Sequence, residues 1–247
     1  MDATDQTIVI TGASRGLGAG LAETLHAQGA RLALCSRSAP VLEDGERVLA
    51  AEFDVRDASA VARFAKDAVS RFGRIDLWIN NAGVLAPIAP LRDLDLEEAR
   101  THVEINLLGL LACCQVFVRH VRGREGGGAL INISSGAARK PYSGWSVYCA
   151  AKAAVDRLTE CIDLEERDQG LRAFSVAPGV IDTYMQALIR STDEADFPDL
   201  PRFVAMKREG RYNTPAFIAE RLLELAFGKP GKPGDVLASL PNEWETR

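Results

Sequence analysis

Residues 11–18 read TGASRGLG, and this glycine-rich turn is the clearest indication of the fold in the sequence. It follows an apolar, β-branched run at 7–11 and precedes residues 17–27, which have helical composition. Glycines in a strand-to-helix turn let the backbone approach a ligand, and the first N–H groups of the helix attract phosphate. A tight connection alone also needs glycine, but its position after a first strand favours a dinucleotide site. The contacts expected from this turn are Gly12, Ser14, Arg15, Gly16, Leu17 and Gly18.

A second motif overlaps the turn, because Gly12 to Gly16 also fits the GxSxG nucleophile elbow of α/β-hydrolases. That fold places several strands before the nucleophile, and an acid and a histidine after it. Only one strand-like run precedes Ser14, and the last histidine, His120, lies in an apolar helical run far from the end of the chain. The sequence therefore disfavours a hydrolase.

Short β-rich runs alternate with longer helical stretches along the chain. This alternation predicts an α/β fold with a parallel sheet covered by helices on both faces. The connection at 38–47 contains Pro40 and Gly45, so we expect a loop there. No linker or repeat interrupts the pattern, so residues 1–247 are predicted to form one domain. The predicted strands are 7–11, 31–36, 48–55, 75–79, 130–134 and 173–177, and the predicted helices are 17–27, 58–72, 96–121 and 147–166.

The composition excludes several classes of protein. The 247 residues are 47% hydrophobic and carry a net charge of −5, which allows a sizeable core but gives no basic face for nucleic acid. No apolar run approaches the roughly 18 residues of a membrane helix, and the early first strand leaves no room for a targeting peptide. The five cysteines form no CxxC pair and the three histidines are widely spaced, so we expect a reduced, cytoplasmic protein without a metal site.

The end of the second predicted strand indicates which nicotinamide cofactor would bind. An acidic residue at this point hydrogen-bonds the ribose 2′-hydroxyl of NAD. Residues 32–38 contain no acid, and Arg37 can pair with a 2′-phosphate through charge-assisted hydrogen bonds. Arg15, in the glycine turn, can reach the same phosphate. The sequence therefore predicts NADP(H).

Three polar side chains indicate proton transfer. Tyr148 and Lys152 form a YxxxK pair, which a helix would place on one face. A nearby ammonium stabilises phenolate, so we expect Lys152 to lower the pKa of Tyr148 and to make it a usable general acid or base. Ser135 follows a predicted strand and can hydrogen-bond a substrate carbonyl on which negative charge develops.

These motifs occur in order with the NNAG run at 80–83 and with Pro178 and Gly179. Over nearly the whole chain the sequence resembles the short-chain dehydrogenase/reductase family. The resemblance implies a Rossmann-type three-layer sandwich, with a seven-stranded parallel sheet in the order 3-2-1-4-5-6-7. It also implies hydride transfer to or from nicotinamide.

The resemblance assigns roles to individual residues. It implies that Tyr148 donates the proton, that Lys152 binds the nicotinamide ribose and tunes Tyr148, and that Ser135 positions the carbonyl. Asn106 would hold a water in the proton relay, and an asparagine in this apolar stretch is costly unless hydrogen-bonded. The other cofactor contacts that it implies are Asp54, Val55, Asn81, Ala82, Gly83, Pro178, Gly179, Val180 and Thr183.

Residues 141–149 and 182–186 resemble the sepiapterin reductases and bacterial benzil reductases within that family. These enzymes act on vicinal dicarbonyl or α-hydroxyketone groups attached to a flat ring. A lid over such a substrate is expected at 184–212, within which the segment 191–211 is charged and irregular at its start. The expected substrate contacts are Ser135, Tyr142, Trp145, Tyr148 and Met185.

The C-terminal tail of the chain helps to decide whether the substrate is a pterin or an aromatic diketone. A pterin needs a carboxylate for its amino-pyrimidine edge, and the tail offers only Asp235, Glu243 and Glu245, none of which matches the family's anchor. We therefore favour aromatic diketones such as benzil over sepiapterin.

Two other functions stay open at this point. A 3-oxoacyl thioester reductase of the same family would act on carrier-bound substrates, whereas a non-catalytic NADP-binding sensor would need no proton-transfer group.

The helices at 96–121 and 147–166 are apolar around much of their circumference. The resemblance implies that they pair in a homodimer or homotetramer.

Overall fold

The computed structural model describes residues 3–229, 232 and 234–246. In this part of the chain seven parallel strands form one sheet in the order β3-β2-β1-β4-β5-β6-β7. The predicted fold class and strand order are therefore confirmed. The strands are β1 (Thr7–Thr11), β2 (Arg31–Ser36), β3 (Val48–Glu52), β4 (Leu77–Asn80), β5 (Gly128–Ile133), β6 (Leu171–Ala177) and β7 (Leu237–Ser239).

Side-chain caps fix where several helices begin. The carboxylate of Asp57 accepts a hydrogen bond from the backbone N–H of Ala60, and Asp95 caps the next helix in the same way. The described helices are α1 (Gly16–Ala27), α2 (Ala58–Phe72), α3 (Leu96–Val103), α4 (Leu110–Val121), α5 (Ser146–Glu166), α6 (Tyr184–Arg190), α7 (Leu200–Glu209) and α8 (Pro215–Phe227).

The sheet is covered on both faces, which is why its central strands are mostly apolar. On one face, α1 and α8 pack through side chains such as Leu21 and Leu222. On the other face, α2, α4 and α5 pack through Phe64, Phe117 and Val155. This three-layer arrangement leaves the carboxyl ends of the strands to the connecting loops, where a site can form.

The helix Leu96–Val121 is continuous but changes its winding in the middle. A π-helical segment, Glu104–Gly109, lies between α3 and α4. Among the described residues this is the one helix long and apolar enough to cross a membrane, judged by length and composition alone. The expectation that no segment approaches that length is therefore wrong. Cys113 and Phe117 of this helix are buried beneath the sheet, as in the core helix of a globular fold.

The remaining differences between the predicted and the observed secondary structure lie at the ends of strands and in the last third of the chain. The loop expected at 38–47 is confirmed, since it holds only a bridge between Gly45 and Val48. The third strand ends at Glu52, so Asp54 lies in the loop after it. Strand β7 and helices α6 to α8 were not predicted from the sequence. A three-residue strand has no detectable period, and Pro201 and Pro215 lie in the first turns of α7 and α8.

Candidate active site

A cavity of about 1060 Å³ lies at the carboxyl ends of the strands. The loops after β1, β2, β4, β5 and β6 line it, together with parts of α5 and α6. Open parallel sheets bind ligands at this edge, where the strand order reverses. The structure brings the sequence-predicted site residues to this one cavity, with two exceptions, Gly18 and Asn106.

The glycine turn packs closely against the loop after β4. A Cβ on Gly12, whose φ is +71°, would lie 2.8 Å from the Cα of Ala82. The backbone N–H groups of Asn81 and Ala82 both donate to the Thr11 hydroxyl at 3.0 Å. The Asn81 amide also donates to the carbonyls of Thr11 and Gly12, so its side chain braces the turn.

Gly18 contributes to packing and not to the cavity surface. A Cβ at this position would lie 2.3 Å from the carbonyl oxygen of Gly12, which is closer than any real contact. The cofactor contact expected of Gly18 stays a prediction. Its missing side chain lets α1 approach the turn.

The N-terminus of α1 is suited to bind phosphate. Gly16 opens the helix with a φ of +61°, and no side chain caps the free N–H groups. The first turn of α1 has no acidic residue, whereas α2 and α3 are capped by Asp57 and Asp95. These free N–H groups and the helix dipole fit the pyrophosphate of a dinucleotide.

The end of β2 presents Ser36, Arg37 and Ser38 to the cavity. Across from them, Asp54 pairs with Arg56 at 2.8 Å, and this hydrogen bond holds the pKa of the Asp54 carboxyl below its usual value. The guanidinium of Arg37 lowers that pKa slightly further, so the two side chains lie within electrostatic range.

Arg15 makes a contact that the sequence analysis did not anticipate. Its guanidinium carbon lies 4.2 Å from the centre of the Tyr184 ring, which is a cation–π distance. Tyr184 is the first residue of α6, so this contact links the glycine turn to the predicted lid.

Tyr148 and Lys152 lie one turn apart on α5, and each is 7% exposed. Burial raises the pKa of Tyr148, and a hydrogen bond with Ser135 opposes that rise. The net shift is therefore opposite to the lowering expected from Lys152, because burial makes the charged phenolate costly. Burial also lowers the pKa of Lys152, to about 8, and its ammonium donates to the Ile133 carbonyl at 2.7 Å.

A buried carboxylate that the sequence analysis missed stands one turn beyond Lys152. Asp156 accepts hydrogen bonds from the hydroxyls of Ser134 and Ser175, both at 2.6 Å, and lies 3.5 Å from the Arg139 guanidinium. Its negative charge raises the pKa of Lys152 against the effect of burial. The i,i+4 spacing of Lys152 and Asp156 was visible in the sequence, but only the sheet brings the two serines to the carboxylate.

Asn106 is 1% exposed and lies within the π-helical segment. Its amide oxygen accepts from the backbone N–H of Val84, and its amide nitrogen donates to the Val84 carbonyl, both at 2.8 Å. This satisfies the expectation that a buried asparagine is hydrogen-bonded. The side chain does not reach the cavity wall, so the relay role of Asn106 stays a prediction.

Aromatic rings form one wall of the cavity. The Trp145 ring lies 5.0 Å from Tyr142 and stacks on Phe197 at 4.6 Å with an interplanar angle of 14°. Phe203, from α7, lies 5.5 Å from the same indole. The sequence analysis found Tyr142 and Trp145, and Met185 also lines the cavity. It missed both phenylalanines, because their neighbours in the sequence give no sign of which face is buried.

Asn213 is a further residue that the sequence did not reveal. It is 1% exposed, and its amide donates to the Pro178 carbonyl at 2.9 Å and to the Pro241 carbonyl at 3.1 Å. Its side-chain oxygen accepts from the backbone N–H of Glu243. Asn213 therefore holds the Pro178 turn of the cavity against the C-terminal segment.

Comparison with known proteins identifies the family of this chain. Residues 6–194 match the family model described as short chain dehydrogenase. The chain belongs to this family. It is therefore an oxidoreductase that acts on CH–OH or carbonyl groups, and its family binds nicotinamide cofactors.

Individual relatives show which members of the family this chain resembles. A benzil reductase ((S)-benzoin forming) of Bacillus cereus is 33% identical over 246 aligned positions, covering 93% of this chain and 97% of that protein. The crystal structure of the KRED1-Pglu enzyme is 33% identical, with a TM-score of 0.86 over 94% of this chain and 99% of that one. A short chain dehydrogenase from Burkholderia cenocepacia J2315, in complex with NADP, is 29% identical, with a TM-score of 0.76 over 100% and 92% of the two chains. This chain is a benzil reductase-like member of the family.

Proposed function

We propose that this enzyme uses NADPH to reduce a ketone or vicinal dicarbonyl to the hydroxy compound. One observation carries the proposal: Ser135 and Tyr148 both line the cavity, close enough for Ser135 to lower the pKa of Tyr148, with the buried ammonium of Lys152 one helical turn away. This arrangement offers a carbonyl oxygen two hydroxyl donors and a nearby positive charge.

The side chains of this site have distinct tasks in the proposed reaction. The bound nicotinamide supplies the hydride. Ser135 and Tyr148 hold the carbonyl oxygen, and Tyr148 gives it a proton as negative charge develops. Because the pKa of Tyr148 is raised, the phenol carries its proton at neutral pH, as a donor must. The ammonium of Lys152 stabilises the phenolate that remains, and this effect weakens as pH rises through its pKa of about 8.

The choice of NADP(H) over NAD(H) is part of the proposal. The cavity presents Arg37 and no carboxylate at the end of β2, where an NAD-dependent enzyme places an acid. Arg15 and its exposed guanidinium stand in the glycine turn on the other side. The NADP bound by the Burkholderia cenocepacia relative is consistent with this choice.

The proposed substrate is a vicinal diketone on an aromatic ring, with benzil as the example. The rings of Tyr142, Trp145 and Phe203, tilted against one another, offer an aromatic wall beside Tyr148. Among the described residues of the tail, none of the carboxylates considered as a pterin anchor lines the cavity, and Glu243 accepts from the backbone N–H of Thr214. Benzil reduction is also the printed activity of the Bacillus cereus relative. We propose that residues 184–212 close over this substrate as a lid.

A substrate panel tests the function. We expect NADPH oxidation to be fastest with benzil and phenylpropanedione, slower with sepiapterin, and slowest with simple sugars and acetoacetyl thioesters. Fastest turnover of acetoacetyl thioesters would replace the proposal with the 3-oxoacyl thioester reductase. Tight NADPH binding without turnover of any ketone would instead favour the sensor.

We also propose that the enzyme is a homodimer or homotetramer in a reducing cytoplasm, where its five free cysteines would stay reduced. Leu108 and Leu111 of the long helix are 53% and 42% exposed. Beside them, a shallow apolar recess is lined by residues of both long helices, such as Val103 and Val147. Light scattering at micromolar concentration should give at least twice the chain mass. A monomeric mass would contradict the pairing of these faces.

A further inference from the structure

His102 is a buried histidine that the proposed mechanism does not use. It lies on α3, one turn before Asn106, and is 1% exposed. Its ring meets the ring of Tyr148 edge-on, with the centroids 5.9 Å apart. The imidazole therefore lies against two residues of the proposed site.

The hydrogen bonds around Asn106 allow one tautomer of His102. The Val84 backbone donates to the Asn106 oxygen and accepts from its nitrogen, so the orientation of this amide is fixed. The second N–H of that nitrogen faces the Nε2 of His102 at 2.6 Å, so Nε2 must accept. The proton is then on Nδ1, which donates to the Ala86 carbonyl at 2.7 Å.

We propose that neutral His102 is a positioning residue for the reductase reaction, and that its protonation switches the site off at acid pH. This inference rests on the proposed function. As the neutral tautomer, His102 ties Asn106 to the loop after β4 and supports the ring of Tyr148. As the imidazolium, it would point an Nε2–H at the N–H of Asn106, and the tie would be lost.

The surroundings of His102 favour its neutral form. Burial lowers its pKa, the positive charge of Lys152 lowers it further, and the hydrogen bond to Ala86 opposes both effects. The groups that face it from α5 are Tyr148 and Lys152, and the loop at 83–88 carries no ionisable side chain. Glu104, on the same helix, pairs with Arg56. With the pKa lowered, His102 is neutral at pH 7 and becomes charged only as pH falls through that lowered value.

Two substitutions at this position separate positioning from simple packing. His102→Phe keeps a ring against Tyr148 but removes the acceptor, so kcat for benzil should fall about 10- to 100-fold while the KM for NADPH stays near the wild-type value. His102→Gln can accept from Asn106 and donate to Ala86 through its amide. It should recover most of kcat and lose the decline in kcat that we expect of wild type as pH falls through the lowered pKa of His102.

A matched control uses His120, which is half-buried. His120 also has a pKa lowered by burial, but it accepts from the Ile75 backbone at the opposite edge of the sheet. His120→Gln should leave the acid-side decline unchanged. The inference is overturned if His102→Phe keeps the wild-type kcat and pH profile, or if His102→Gln is as slow as His102→Phe.

A second measurement does not depend on turnover or on the folding of a variant. Nitrogen NMR of the wild-type imidazoles should show His102 as the Nδ1–H tautomer at neutral pH. An Nε2–H tautomer or an imidazolium would overturn the inference whatever the kinetics. If the tautomer is as expected but wild type reduces no ketone, the proposed function fails and the hydrogen-bond arrangement stands.

Discussion

Tyr148→Phe should lower kcat about 10²- to 10⁴-fold, the range typical of lost general acid catalysis. The substitution removes the phenolic proton but keeps the ring, which packs against Trp145 at 5.6 Å and against His102. Folding and NADPH binding should therefore change little. Steady-state kinetics with benzil, together with NADPH fluorescence titration and thermal unfolding of the same variant, separate these effects.

Ser135→Ala provides the comparison for that variant. It removes one of the two donors to the carbonyl oxygen and also the hydrogen bond that opposes the rise in the Tyr148 pKa. We expect a clear loss of kcat with the proton donor still present. A Tyr148→Phe enzyme with wild-type turnover would remove Tyr148 from the mechanism, whatever the result at Ser135.

Arg37→Asp should reverse the cofactor preference. Loss of a charge-assisted contact with the 2′-phosphate is worth about 1.5–3 kcal/mol, and the new carboxylate adds repulsion, so the KM for NADPH should rise at least about 10- to 100-fold. The KM for NADH should change much less, because a carboxylate at this point can hydrogen-bond the free 2′-hydroxyl of NADH. The ratio of kcat/KM for the two cofactors is the measurement.

Arg63→Asp is the matched control for the charge change. Arg63 lies on α2, its side chain is 67% exposed, and its ion pair partner is Asp57 at 3.9 Å. The same reversal of charge there should leave the ratio unchanged. An equal effect of both variants would mean that net charge near the cavity, and not contact by Arg37, governs the preference.

Much of the fold and of the site could be predicted because the patterns that indicate them are local in the sequence. The glycine turn, the alternation of strands and helices, and the YxxxK pair each depend on residues within one turn or strand. These signals led to the sheet order through a family resemblance, and the predicted residues meet in one cavity apart from Gly18 and Asn106. The burial of Asn106 was anticipated from its apolar neighbours.

The features that were missed depend on contacts between distant segments. The sign of the Tyr148 pKa shift follows from burial, which the spacing of Tyr148 and Lys152 does not reveal. Asp156 acquires its partners only when β5 and β6 bring Ser134 and Ser175 together.

The most direct test of the central claim is the fate of the hydrogen that leaves the cofactor. Benzil should be incubated with the enzyme and NADPH in which both hydrogens on the transferring carbon of the nicotinamide are deuterium, and the benzoin should be analysed by mass spectrometry. The account predicts benzoin with a single deuterium on its carbinol carbon. Failure to form benzoin, or benzoin without that deuterium while NADPH is consumed, would contradict hydride transfer to a carbonyl at this site.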